Sequence, residues 1–431
     1  MAGVVLQSSI RGPMKKPSAA SLKKVTAENL TSLGVERLAE ILVEVADTRV
    51  DLKRRLRMEL AAGLGATHLA PEIDKRLNAF ETSRGEVTWR QKPAFIRDLD
   101  ALRGLISRLA ETEPDAATER LWRFMTTAGP VTRRVRERDE SVEAIYLRAA
   151  ADLGRFLSGR DPQLTAHHLV EATKARPQVW AGWLPAVLAH MSPATAASGL
   201  AQAQAASVTA PGWTLIIRHF ADAAGDIAAY GATFSPAALS SPDTAVGIAR
   251  RHLAAGQIEE AGAALRLAAP KPKGLLGRLQ IPDFDWETAW IDYLDQAGDT
   301  VAAQAVRQAS FKRTLDIGRA KAFIGKLADF EDVEAEAEAF AYAAKHDDFE
   351  RALGFLMAWP ALAEASQMIQ ARPDDIDVAP DKVELWAGKL RRRFPAAAHL
   401  LLRRAAAKAF RRRELKVSER LTQEADAIDL G

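Results

Sequence analysis

Hydrophobic residues recur along this chain with the period of a helix rather than of a strand. Leu38, Ile41, Leu42 and Val45 follow the i, i+3, i+4, i+7 spacing that places apolar side chains on one helix face. No convincing run of alternating β-branched residues occurs. The pattern predicts an all-α protein with essentially no sheet.

The next stretch, "LKRRLRMELAA" at 52–62, combines leucines with four cations. The capping-box spacing that begins at Thr48 predicts a new helix there. Its predicted buried stripe is Leu52, Leu56 and Leu60. The long cationic side chains are predicted to cover the other faces with their charges in water. These cations are Lys53, Arg54, Arg55 and Arg57.

One sequence layout recurs in the second half of the chain, in which an apolar helix, a tight turn and a second helix follow one another. Its four copies are 218–234, 249–265, 290–306 and 340–356. Gly225, Gly256 and Gly298 suit the left-handed turn that ends a helix. The spacing between these glycines is irregular, 31 residues and then 42. The recurrence predicts a helical-hairpin array with irregular tetratricopeptide-like repeats.

Composition shifts along the chain predict three regions. Residues 1–25 are rich in Ser, Lys, Pro and Gly and hold five cations and no acid, which predicts a disordered basic tail. Residues 26–160 are predicted to form an N-terminal helical domain, and residues 161–431 a helical-repeat domain.

Charge is unevenly distributed over the 431 residues, although the net charge is only +3. Residues 281–380 hold 20 acidic and 9 basic residues, a net charge of −11, whereas residues 381–431 hold 13 basic and 7 acidic residues, a net charge of +6. Such asymmetry serves either partner binding or salt bridges inside the fold.

The absence of cysteine from the sequence excludes disulfides, thiolate zinc sites and cysteine nucleophiles. It also fits a reducing compartment. No apolar run approaches the roughly 18 to 20 residues of a membrane span. We therefore predict a cytoplasmic protein that does not act in a membrane.

Motifs for catalysis or cofactor binding are missing from the sequence. No phosphate-binding glycine-rich loop or His-Glu-x-x-His pair occurs. His167 and His168 are adjacent, so on a helix they point about 100° apart and do not form an i, i+4 metal pair. Glu334 and Glu338 share a helix face, but their alanine-rich context favours a solvated face over a metal site. We predict no catalytic, cofactor-binding or metal-binding residue.

Charged helices remain as candidate interaction surfaces. Besides the cations of 52–62, the candidates are Arg403, Arg404, Arg411, Arg412, Arg413, Glu334 and Glu338. The C-terminal arginines are compatible with a basic ridge that binds nucleic acid. The favoured interpretation is a solvated or salt-bridged face, with the acidic residues of 281–380 as the internal partner.

Two long stretches carry a family resemblance. They are "ENLTSLGVERLAEILVEVADTRVDLKRRLRMELAA" and "FDWETAWIDYLDQAGDTVAAQAVRQASFKRTL". From about residue 26 onward the chain resembles a proteobacterial helical family that is catalogued only as a domain of unknown function. The N-terminal hairpin also resembles helical segments of SWIM zinc-finger proteins, but without cysteines this chain holds no such finger. The resemblance implies one continuous helical protein, bacterial and cytosolic, with no chemistry to transfer.

These observations favour a non-enzymatic helical-repeat protein that binds another protein as a scaffold or adaptor. The alternative is a nucleic-acid-associated protein that uses its basic helices. A third hypothesis is an enzyme of unrecognised type, whose site would be assembled from distant helices.

Overall fold

The computed structural model describes residues 24–135, 139–273, 278–279 and 281–430. Within these ranges the regular secondary structure is helical apart from two two-residue strands, Pro272–Lys273 and Arg278–Leu279, that pair antiparallel. The predicted all-α class is therefore confirmed. The basic tail predicted for residues 1–25 lies, except for its last two residues, outside the described ranges.

The chain forms two compact units, Met1–Thr233 and Phe234–Gly431. We number the helices in chain order over the described ranges. Those of the first unit are α1 Ala27–Thr31, α2 Val35–Thr48, α3 Val50–Leu64, α4 Ala66–Thr82, α5 Lys92–Leu109, α6 Pro114–Thr126, α7 Ala128–Val135, α8 Glu140–Leu157, α9 Pro162–Lys174, α10 Pro177–Leu188, α11 Pro193–Ala205, α12 Trp213–Ala224 and α13 Ile227–Ala232.

The helices of the second unit are shorter on average than those of the first. They are α14 Pro236–Leu239, α15 Pro242–Ala254, α16 Ile258–Leu267, α17 Phe284–Gln296, α18 Thr300–Thr314, α19 Ile317–Ile324, α20 Glu331–Ala344, α21 Phe349–Ala358, α22 Leu362–Ala371, α23 Pro380–Leu390, α24 Pro395–Arg411 and α25 Leu415–Asp426.

Helices in the second unit pack mainly against their nearest neighbours in sequence. Helix α15 contacts α16 and α17, α20 contacts α21 and α22, and α24 contacts α22, α23 and α25. This nearest-neighbour order is the packing of a helical array. Each added helix therefore extends the surface of the unit.

Three turns in the predicted hairpins have the backbone that the sequence indicated. Gly225, Gly256 and Gly298 adopt φ values of +72°, +72° and +81°. In each turn the next residue donates its backbone N–H to the carbonyl five residues earlier, as Asp299 does to Leu294. This is the Schellman pattern, which satisfies helix-end carbonyls and favours glycine. The predicted left-handed helix ends are confirmed.

The core of the first unit is continuous from Met58 to Ala221. Helix α8 packs against α10, and α9 packs against α11. The domain boundary predicted between residues 160 and 161 therefore lies inside this unit, because helices on both sides of it share one core.

The orientation predicted for helix α3 is wrong in part. Leu60 is 69% exposed, and burial falls instead on Met58 and Ala61. Arg54 shares their face, since residues four and seven apart lie on one side of a helix. The predicted capping box does not form either: the Thr48 hydroxyl donates to the carbonyl of Val45. Packing against α4 and α5, rather than the leucine spacing, sets the inward face.

Candidate functional site

Five cationic side chains line one cavity of about 370 Å³ in the first unit. Helix α3 contributes three of them and α4 contributes two. We call this cavity the basic pocket, and its cations are Lys53, Arg54, Arg57, Lys75 and Arg76.

The local sequence explains why these cations meet. Gly65 adopts φ +104°, a conformation that residues with a side chain rarely adopt, and it is the single residue between α3 and α4. The two helices pack against each other directly after this break. The basic faces of both helices therefore border the same cavity.

Ion pairs neutralise only part of the pocket's charge. The Arg54 guanidinium donates to the Asp98 carboxylate at 2.8 Å, and Arg76 donates to the same oxygen. Lys53 pairs with Asp47 at 2.9 Å.

Two further cations of the basic pocket, Arg57 and Lys75, take part in none of the ion pairs found among the described residues. The pocket therefore carries more positive than negative charge.

Arg76 is the most buried of the five cations of the basic pocket. Its side chain is 17% exposed, and its Nε is buried with no hydrogen-bond partner within the described residues. Burial lowers the pKa of Arg76, the charge of Asp98 opposes that shift, and the nearby Arg54 charge reinforces it. The Arg76 guanidinium is therefore a part-buried cation whose charge is opposed by burial and by Arg54 and stabilised by Asp98.

Arg55 is separated from the other cations of its stretch. It lines a neighbouring cavity of about 310 Å³ together with Arg49, Arg97, Asp51 and Asp98. Of the four cations predicted at 52–62, three therefore share the basic pocket and Arg55 does not.

The second unit holds a larger cavity of about 840 Å³ between α20 and α22. We call it the apolar groove. Its apolar lining includes Val333, Ala337, Phe340, Ala341, Ala344 and Met368. Val333 is 70% exposed, so the groove is open to solvent at this residue.

Charged side chains mark the two ends of the apolar groove. Arg372 donates to the carbonyls of Ala344 and His346, so the C-terminal ends of α20 and α22 lie together. Arg372 and Lys345 line this basic end. Towards the other end the groove is lined by Glu364, from the first turn of α22, and by Glu336, from the second turn of α20.

The predicted acidic candidates lie beside this groove rather than in it. Glu334 and Glu338 are exposed, and Glu338 lines a smaller cavity of about 140 Å³ with Lys312 and Tyr342. Glu336 is the glutamate of α20 that lines the groove. Among the described residues, no three His, Asp or Glu side chains come together as a metal site.

The predicted C-terminal arginines are largely ion-paired within their own unit. Arg404 pairs with Asp374 at 3.0 Å, Arg412 with Asp377 at 2.8 Å, and Arg403 with Asp426 at 2.7 Å. Lys408 also pairs with Asp377, at 3.2 Å. The acidic segment 281–380 supplies two of these three carboxylates, as the salt-bridge interpretation predicted. Arg411 and Arg413 are exposed and belong to none of the ion pairs in the described residues.

The cations that pair with Asp377 lower its pKa. Partial burial works against its charged form, but the hydrogen bond from Lys408 and the charge of Arg412 outweigh burial and hold the pKa of Asp377 below its usual value. The carboxylate is therefore a stable counterion to this helix.

Sequence reasoning missed two groups of lining residues. Lys75 and Arg76 lie in "IDKRLNAF", and a Lys-Arg pair one helix after a basic stretch is a usable signal of a shared basic surface. Val333, Ala337 and Ala341 repeat every four residues between glutamates, which marks a second, apolar face on the acidic helix.

Comparisons with known proteins identify a family but no activity. No curated protein matches the chain, and no similarity to SWIM zinc-finger proteins is found. Within the described ranges, none of the helices has the length and apolar character of a membrane span. The model of a family of unknown function (DUF6880) matches residues 20–212 and 201–417. These matches together cover most of the chain, which therefore belongs to this family.

Proposed function

We propose that this chain is a non-enzymatic helical-repeat protein that binds another protein, as a scaffold or adaptor, through the apolar groove. The observation that carries the proposal is an open cavity of about 840 Å³ with an apolar lining and charged ends. Its volume is within the range of about 300 to 1,000 Å³ that is usual for ligand sites. Helical arrays commonly use extended surfaces of this kind for binding.

The groove favours an amphipathic helix of the partner. Two neighbouring helices form its walls, and a helix laid between them would contact the walls with residues at i, i+3, i+4 and i+7. Glu336 and Glu364 at one end favour basic residues in the corresponding turn of the partner. Lys345 at the other end favours an acidic residue there.

The repeat character and the compartment are part of the same proposal. The three glycine turns with one shared backbone pattern support tetratricopeptide-like hairpins. The cysteine-free sequence supports a reducing compartment, the cytoplasm.

Site-specific photo-crosslinking in the native cells tests the proposal. A photoreactive amino acid replaces Ala341 in the groove, and a matched control carries it at Ala407, an exposed alanine of α24 in the same unit. We expect a discrete protein adduct from position 341 and none from 407. Equal adducts at both positions, or no adduct at 341, would contradict the proposal.

The binding step is then measured with the identified partner segment. Ala341→Glu places a charge on the groove wall and should raise the Kd by about tenfold or more. This corresponds to a loss of about 1.4 kcal/mol of binding free energy. Unchanged thermal unfolding of the variant shows that the fold is intact. Because the contacts are largely apolar, the Kd of the wild-type chain should vary little with salt.

A further inference from the structure

We propose that the basic pocket binds the phosphoryl group of a small phosphorylated molecule. This site lies in the first unit, and the inference goes beyond the protein-binding function proposed for the groove. It starts from a local excess of charge: five cations and one carboxylate, Glu72, line a cavity of about 370 Å³.

The charges in and around the pocket leave a deficit of two negative charges. Besides Glu72, Asp98 neutralises part of the Arg54 and Arg76 charge, and Asp47 pairs with Lys53. Five positive and three negative charges leave a net charge of +2. A phosphomonoester carries a charge of about −1.5 to −2 near neutral pH, so it would balance the pocket.

The cations are also arranged for an anion. The shared contact with Asp98 holds Arg54 and Arg76 in place before any ligand arrives. Arg57 and Lys75 come from the two facing helices and have no ion-pair partner among the described residues. Guanidinium groups match the geometry of phosphate oxygens, and like charges in a part-buried cavity repel until an anion joins them.

The shape of the cavity favours a small ligand over a nucleic-acid backbone. A volume of about 370 Å³ accepts a phosphoryl group together with part of the molecule that carries it. Val50, Met58 and Ala79 add an apolar wall for that part. A nucleic-acid backbone requires cations spread along an open surface, because its charges follow one another at short intervals.

Calorimetric titration of the full-length chain with inorganic phosphate, at constant ionic strength and near-neutral pH, tests the proposal. We expect saturable binding that the Arg57→Gln, Lys75→Gln double variant weakens by about tenfold or more. Arg55→Gln is the control, because it removes one positive charge from the helix that carries Arg57 but lies outside the basic pocket. It should change the Kd by less than about twofold.

Further titrations identify the source of the phosphoryl group. A sugar phosphate should bind at least as tightly as phosphate and compete with it. The proposal fails if phosphate binds no better than chloride, if Arg55→Gln and the double variant lose affinity equally, or if a phosphopeptide or a DNA duplex binds more tightly than the small phosphates at this site. The substituted residues lie in the first unit and the apolar groove lies in the second. Failure of the phosphate proposal would therefore leave the crosslinking result at Ala341 unchanged.

Discussion

Two arginine-rich helices of this protein are alike in sequence and differ in how their charge is used. In α24, Arg403 and Arg404 each pair with a carboxylate of their own, and Lys408 shares the half-exposed Asp377 with Arg412, the residue after the helix. In α3, Arg54 shares one carboxylate with Arg76 of the next helix. The difference shows that the carboxylates a fold brings close, rather than the number of arginines, decide whether a basic helix keeps its charge.

The difference has a simple electrostatic origin. A cation with its own surface carboxylate is neutral at a distance and contributes little to binding another molecule. Cations that share a carboxylate in a part-buried cavity keep a net field, which a low local dielectric strengthens. The basic pocket and the C-terminal helix should therefore respond differently to loss of an acid.

The largest effect is expected from Asp98→Ala. Without this carboxylate, Arg54 and the 17%-exposed Arg76 lie against each other with no counterion. Removing one partner of a buried ion pair costs about 3 to 5 kcal/mol, so this partly exposed site should lose about 2 to 3 kcal/mol of unfolding free energy. Phosphate affinity should rise at the same time.

Denaturant unfolding with and without phosphate measures both effects. Asp51→Ala is the control, because Asp51 pairs with the exposed Arg49 and should cost about 0.5 kcal/mol or less. Equal losses from the two variants would show that the shared carboxylate has no special role.

A smaller loss is expected from Arg54→Glu. The new carboxylate would face Asp98 on the inward side of α3, and we expect about 1 to 2 kcal/mol of destabilisation from the repulsion and the lost pair. Arg57 lies four residues from the buried Ala61 but forms no ion pair within the described residues. Arg57→Glu should therefore change the unfolding free energy by less than about 0.5 kcal/mol. Similar melting temperatures for both variants would contradict the inward position of Arg54.

Asp377→Ala should destabilise the second unit by only about 0.5 to 1 kcal/mol, since its pairs with Lys408 and Arg412 are half-exposed. It also tests the nucleic-acid hypothesis, because it leaves Lys408 of α24 and the adjacent Arg412 without their carboxylate. We expect fluorescence anisotropy with a DNA duplex to show weak, salt-sensitive binding that is stronger for the variant than for the wild type. No change would remove the C-terminal helix as a nucleic-acid site.

The smallest effect is a pH dependence at Asp377. Its pKa is lower in the folded chain than in the unfolded one, so its contribution to stability is fully present above the ordinary aspartate pKa of about 3.9. The contribution is lost as the pH falls through the lower, folded pKa. The difference in melting temperature between the wild type and Asp377→Asn should therefore shrink below about pH 4. A constant difference would mean that this ion pair is not formed in solution.

Local features of the fold were predictable from the sequence. The helical period and the glycine turns depend on residues close together in the chain, so Gly225, Gly256 and Gly298 could be placed without tertiary information. The pairing of Arg404 with Asp374 was anticipated only as a tendency, from the acidic and basic segments that neighbour each other in sequence.

The inward face of α3 could not be predicted in the same way. Its leucine spacing indicated that Leu60 is buried, yet contacts with α4 and α5 place Ala61 and Arg54 inward. Both faces of this helix carry apolar residues, so the choice depends on what the neighbouring helices offer.

The sequence by itself determined that this chain is all-α, where three of its hairpins turn, and that its charges divide into basic and acidic regions. Only the tertiary structure decided which cations meet. Lys75 joins Arg57 because one glycine allows two helices to pack face to face, and Val333 borders a groove because α22 lies beside α20. Helix formation depends on nearest neighbours in the chain, whereas a site depends on residues that packing brings together from different helices.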